Sequence, residues 1–158
     1  MQVIVPKKKS KIVNSLSEIK LIAEKMQVAL EHQDFFPQSK IEKVSFAIHH
    51  SQVDPEPFNF FVIRREAVNA KPNEIVIIAN PEIVEKDKTT KRLVREGCLS
   101  FPFRQDRVVN RCMKIKVKYQ VPNEKGELET REHDVYDMLA CIFQHEIEHA
   151  HGKNIYQV

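Results

Sequence analysis

The chain has 158 residues, 42% hydrophobic and 30% charged, the balance of a single soluble domain over residues 1–158 that can bury a core. Its net charge of +3 is dispersed, so no nucleic-acid site is evident, and Lys7-Lys8-Lys9 reads as a solvated turn. No apolar run approaches the ~20 residues of a membrane span, and Met1 leads into a charged segment rather than a signal peptide, which points to a cytoplasmic protein.

Residues 16–32 carry apolar side chains at 19, 22, 26, 29 and 30, the spacing of a helix, with Ser15 or Ser17 as its cap. A polar connection containing Pro37 follows. Val44 to Gln52 leads through Pro55 and Pro57 into Phe58–Arg64, which reads as a strand. A second strand, Glu74–Ala79, is expected to stop at Asn80-Pro81. Met113–Tyr119 alternates strictly and predicts a half-exposed strand, joined through a Gly126 turn to a partner at 127–135. Asp137 is placed to cap a closing helix of about four turns with Gly152 as its stop. The fold class is therefore α+β, with mixed or antiparallel sheets around a buried C-terminal helix.

That closing helix carries Gln144-His145-Glu146-Ile147-Glu148-His149. Two histidines four apart lie one above the other on a single helix face, the H-E-x-x-H spacing of a metal site. A carboxylate on a buried helix, here Glu146, is costly unless paired or put to use. A metal needs a third protein ligand, and Cys98, Cys112, Cys141, His133 and His151 are the candidates. Three cysteines cannot all pair with one another, and reduced thiols are expected. Cys141 shares the ligand face but sits one turn below it, and burial is the commonest fate of a cysteine such as Cys112. Cys98 stands apart because Gly97 and Pro102 bracket it in a short extended segment that would present a thiolate and free backbone N–H groups.

The pair E-G-C-L-S-x-P at 96–102 and Q-H-E-x-x-H at 144–149 resembles the peptide deformylase family. The resemblance runs along most of the chain, including the I-A-N-P of 78–81. It implies a divalent metal, usually iron(II) with zinc, nickel or cobalt as substitutes, held by Cys98, His145 and His149 with a fourth position left for water. It further implies Glu146 as general base, and Gln52 with the backbone N–H of Leu99 as oxyanion donors. Ala47, Ile48 and Gly97 would line the substrate. The implied reaction is hydrolysis of the formyl group from an N-formylmethionyl nascent polypeptide, with formate released, near the ribosome in the cytoplasm.

Three departures from the family pattern stand out. The first family motif, G-x-G-x-A-A-x-Q, appears here as Ser45-Phe46-Ala47-Ile48-His49-His50-Ser51-Gln52, which keeps the glutamine and replaces both glycines and both alanines. His49 and His50 are read as filling the space alanine leaves. Glu148 replaces the usual aspartate and would reach one methylene further, toward Arg111, and either Arg104 or Arg107 would contact substrate backbone. Val158 follows the metal helix closely, without the family's common C-terminal extension. The altered motif keeps a second reading open, a metal-binding homologue with a changed substrate or lost turnover.

Overall fold

The computed structural model describes residues 1–32, 45–101 and 104–158. The Pro37 connection, Val44 and Pro102 fall outside them. Among the described residues, helix α1 is Lys20–His32 and helix α2 is Asp137–Ala150. The strands are β1 (Ala47–His49), β2 (Phe60–Ile63), β3 (Ile77–Lys86), β4 (Lys91–Glu96), β5 (Arg107–Cys112), β6 (Lys114–Pro122) and β7 (Leu128–Tyr136). An antiparallel sheet runs β1-β2-β3-β6-β7, and β4 pairs with β5 in a separate two-stranded ribbon. The architecture is α+β, as the periodicities predict.

Alternation in the strands sorts side chains between the two helices. From β2, Phe60 and Val62 pack toward α1 with Ile19, Met26 and Leu30. Phe61 and Ile63 pack toward α2 with Phe143 and Ile147, joined by Ile115, Val117 and Tyr119 of β6. Because both faces are covered, all four β2 residues are buried, and an unbroken apolar run is what such a strand requires. Gln27, also buried, ties α1 to this sheet: its amide donates to the Ile63 carbonyl at 2.9 Å and accepts from the Val76 N–H at 3.2 Å.

Three expectations need correction. Strand β3 does not stop at Asn80-Pro81 but continues to Lys86, with the pairing register shifting between Ala79 and Glu82. Asn80 sits at φ 49° in a bulge that absorbs the proline's missing donor. Its side chain donates to the Val13 carbonyl and accepts from the Val13 N–H, both at 2.8 Å, so the N-terminal segment is fastened there. Second, Cys112 ends β5, and the alternating strand begins at Lys114. Third, Asp137 does not cap α2 through its side chain. The N-cap is Tyr136, and Asp137 adopts φ 52° at the turn into the helix. At the other end of α2, Gly152 has φ 75°, and a Cβ there would meet the Lys7 carbonyl carbon at 2.8 Å, so only glycine lets the N-terminal segment cross so closely. Ser15 caps the first chain turn, a 3-10 turn over Leu16–Glu18 that precedes α1.

Candidate metal centre

Helix α2 sets His145 and His149 on one face, and the turn after β4 brings Cys98 to them. The His145 and His149 Nε2 atoms lie 3.1 Å apart, and Cys98 Sγ lies 3.4 Å from His149 Nε2. All three ligand atoms fall within 4.8 Å of one another, and His149 is completely buried. Metal–nitrogen bonds of about 2.0–2.1 Å and a metal–sulfur bond of about 2.3 Å at tetrahedral angles place such atoms about 3.4–3.6 Å apart. The observed 3.1 and 3.4 Å lie at or slightly below that spacing, so a small separation of the rings would let the three converging atoms share one cation.

The rings are also in the right tautomer. His145 Nδ1 lies 2.9 Å from Glu96 Oε1, and His149 Nδ1 lies 2.8 Å from the Lys153 carbonyl. Both partners only accept, so each ring donates from Nδ1 and leaves Nε2 as the nitrogen that would bind a metal. Burial and the adjacent His145 ring hold His149 well below the ordinary imidazole range. For His145 burial acts in the same direction, but hydrogen bonds with Cys98 and Glu96 outweigh it and hold the ring above that range.

Glu96 is a site residue that the sequence reading passed over, although it opens E-G-C-L-S. Its carboxylate also takes two bonds from Arg111, Nε to Oε2 and Nη2 to Oε1, each 2.8 Å. Arg111 bonds Glu148 through Nη1 and, at 3.1 Å, through Nη2. The longer Glu148 side chain therefore reaches Arg111, as expected. Burial would raise the Glu96 carboxyl, but the bonds from Arg111 and His145 prevail and hold it at about 2. Arg111 is 3% exposed. Replacing it by methionine would leave two partly buried carboxylates facing each other, and unfolding in denaturant should show a loss of about 3–5 kcal/mol.

Glu146 and Gln52 border the same cleft, a cavity of about 460 Å³. Glu146 is buried, its Oε2 has no hydrogen-bond partner among the described residues, and burial pushes its pKa up to about 7. Gln52 Nε2 donates to Ser100 Oγ at 3.1 Å and lies 3.7 Å from Cys98 Sγ. Ala47, Gly97 and Leu99 lie along one edge, and Val94, Met113, Met138, Cys141 and Ile142 form an apolar wall. Ile48 is fully buried on the α1 side of the sheet, because its neighbour Ala47 takes the cleft-facing position in β1. Its side chain is not part of the cleft lining. Cys141 lines the cleft, while Cys112 packs in the α2 core. His133 pairs instead with Tyr119 at 2.7 Å, and His151 lies exposed at the end of α2.

With the geometry in view, comparison with known proteins gives a consistent answer. The polypeptide deformylase family model matches residues 4–158. The chain belongs to the polypeptide deformylase family. A curated peptide deformylase from Thermotoga maritima is 44% identical over 82 residues, which cover 51% of this chain and 45% of that protein. The matched segment thus spans less than half of that relative's length. The crystal structure of the peptide deformylase from Thermotoga maritima superposes with TM-score 0.73 at 29% identity, covering 99% of this chain and 96% of that one. The peptide deformylase from Thermus thermophilus gives TM-score 0.71 at 27% identity, covering 96% and 78%.

Against the deformylase pattern, both substituted histidines turn away from the cleft, and neither lines it. His50 Nδ1 accepts from the Phe58 N–H at 3.0 Å, and its ring stacks on Phe60 at 4.9 Å between centroids. His49 is fully buried, and burial pushes its pKa down to about 3, so the ring is neutral. Both do more than fill space, since each makes polar bonds an alanine could not. Of the two arginines, either of which was expected to contact substrate backbone, Arg104 lies over the rings of Phe101 and Tyr156, and Arg107 lies over Tyr156.

Proposed function

We propose that residues 1–158 act as one catalytic domain that hydrolyses the formyl group from N-formylmethionyl nascent polypeptides, releasing formate and a free amino terminus. The observation that carries this reading is the convergence of three groups on one apolar-walled cleft: a Cys98–His145–His149 donor set, the buried Glu146 carboxylate, and the Gln52 amide. Iron(II) is the proposed native ion, with zinc, nickel or cobalt able to take the same ligands. The absence of any described helix long and apolar enough to cross a membrane is consistent with work in the cytoplasm beside the ribosome.

Cys98, His145 and His149 would hold a divalent cation, whose chemistry there would be to acidify a water and polarise the formyl carbonyl. Glu146 removes the proton from the attacking water and hands it to the leaving amine, a role matched by a pKa raised to about 7. Gln52 Nε2–H and the Leu99 backbone N–H donate to the oxyanion as charge develops on it. Val94, Met113, Met138 and Ile142 offer the methionine side chain an apolar surface.

Gln52→Leu should raise the barrier by about 2.7–4 kcal/mol, the cost of one lost oxyanion donor. Steady-state kinetics should show the loss in kcat and kcat/KM alike. The reading as a whole is tested by incubating the metal-loaded chain with formyl-Met and acetyl-Met peptides. Formate and free amine should appear one for one from the formyl peptide only. Stoichiometric metal without formate would instead establish the homologue with a changed substrate or lost turnover.

A further inference from the structure

The Gln52 amide is fixed at both ends, and the residue that fixes one end is a histidine foreign to the family motif. Gln52 closes a 3-10 turn over His50–Gln52 whose N-cap is His49. The His49 backbone N–H donates to Gln52 Oε1 at 3.0 Å, while His49 Nδ1 accepts from the Ser51 N–H at 3.1 Å. This is the reciprocal exchange of a capping box, with an imidazole nitrogen standing where a serine or threonine oxygen is usual. Because Nδ1 accepts, the ring proton is on Nε2, which donates to Asn59 Oδ1 at 3.3 Å and fixes the ring plane. The Ser51 hydroxyl, 2.9 Å from His49 Nδ1, donates to the His149 carbonyl at 3.2 Å and ties the turn to the metal helix.

The consequence falls on the amide. With Oε1 held by the His49 N–H, Nε2 must face the other way. One of its hydrogens goes to Ser100 Oγ, and the second is directed toward Cys98 Sγ, 3.7 Å away. Ser100 Oγ in turn donates to the Ile4 carbonyl at 2.8 Å. An alanine at position 49 could supply the backbone N–H but neither the Nδ1 acceptor nor the bond to Asn59.

We propose that His49 is a positioning residue for deformylation: its imidazole caps the turn that carries Gln52 and thereby sets where the Gln52 amide meets the oxyanion. The inference rests on the reading of Gln52 as an oxyanion donor. It assigns the first-motif histidine a specific task, one that depends on an acceptor atom at Nδ1 and not on the ring's bulk.

Three variants separate the acceptor from the bulk. His49→Phe keeps an aromatic ring without an acceptor, and His49→Asn supplies a favourable N-cap acceptor on a smaller side chain. His49→Ala carries the same test as His49→Phe should the phenylalanine not fold. Elemental analysis should find one metal per chain in every folded variant. His49→Phe should lower kcat about 10- to 100-fold with KM nearly unchanged, the scale of a donor displaced by a fraction of an ångström to an ångström. His49→Asn should recover most of that loss, and His49→Phe should add nothing to Gln52→Leu, since the imidazole acts only through the Gln52 amide that Gln52→Leu has already removed. Full turnover in His49→Phe would overturn the inference, as would a His49→Asn variant no faster than His49→Phe. Multiplicative losses in the Gln52→Leu background would overturn it alone and leave the Gln52 reading standing. A silent Gln52→Leu would overturn the Gln52 reading and this inference with it.

Discussion

Cys98→Ser should strip the chain of bound metal and, with it, of activity. The thiolate contributes the only negative charge among the three converging ligand atoms and a soft donor at the spacing a cation requires. A serine hydroxyl stays protonated at working pH, so the site would fall to two neutral imidazoles. The geometry makes the effect specific to this cysteine. Cys98 is buried beside His149, whereas Cys112 packs in the α2 core and Cys141 lies on the apolar wall of the cleft. Elemental analysis should therefore find metal lost in Cys98→Ser and retained in Cys141→Ala. Full occupancy in Cys98→Ser would move the third ligand elsewhere.

Glu146→Gln should separate binding from chemistry. The side chain keeps its shape but can no longer take a proton, and Glu146 is not one of the three converging ligands. Metal content should be unchanged while turnover falls about 10²-fold or more, the usual contribution of a positioned acid–base group. The buried Oε2 lacks a partner among the described residues, which leaves it available to a water in the cleft. Undiminished formate release from this variant would show that another group takes the proton.

Much of this was legible in the chain because period and spacing report directly on packing. The α2 stripe of Phe143 and Ile147 and the alternation of Ile115, Val117 and Tyr119 each announce one buried face. His145 and His149 follow from helical geometry alone. Other parts were hidden for physical reasons. Strand β4 of the two-stranded ribbon has no buried residue, so Lys-Arg-Leu-Val-Arg-Glu lacks the clean alternation of a half-buried strand. Yet this ribbon delivers Glu96 and Arg111 to His145. Strand β3 passes through Asn80-Pro81 only because an asparagine tolerates φ 49° and a bulge excuses the proline. Of the residues expected along the substrate, Ala47 and Gly97 border the cleft, while the Ile48 side chain faces the α1 core, a difference of strand face that the first motif does not announce. No local pattern announces that Asn59 fixes the His49 ring, since the two become neighbours only when β1 and β2 pair.

The central claim, that one metal held by Cys98, His145 and His149 makes this chain a deformylase, is tested most directly by an anaerobic titration. Metal-free protein would receive iron(II) in increments while formate release from a formyl-Met peptide is followed. Activity should rise from baseline in proportion to added metal and level off at one equivalent per chain. Formate release before any metal is added, or no release after one equivalent is bound, would contradict the account.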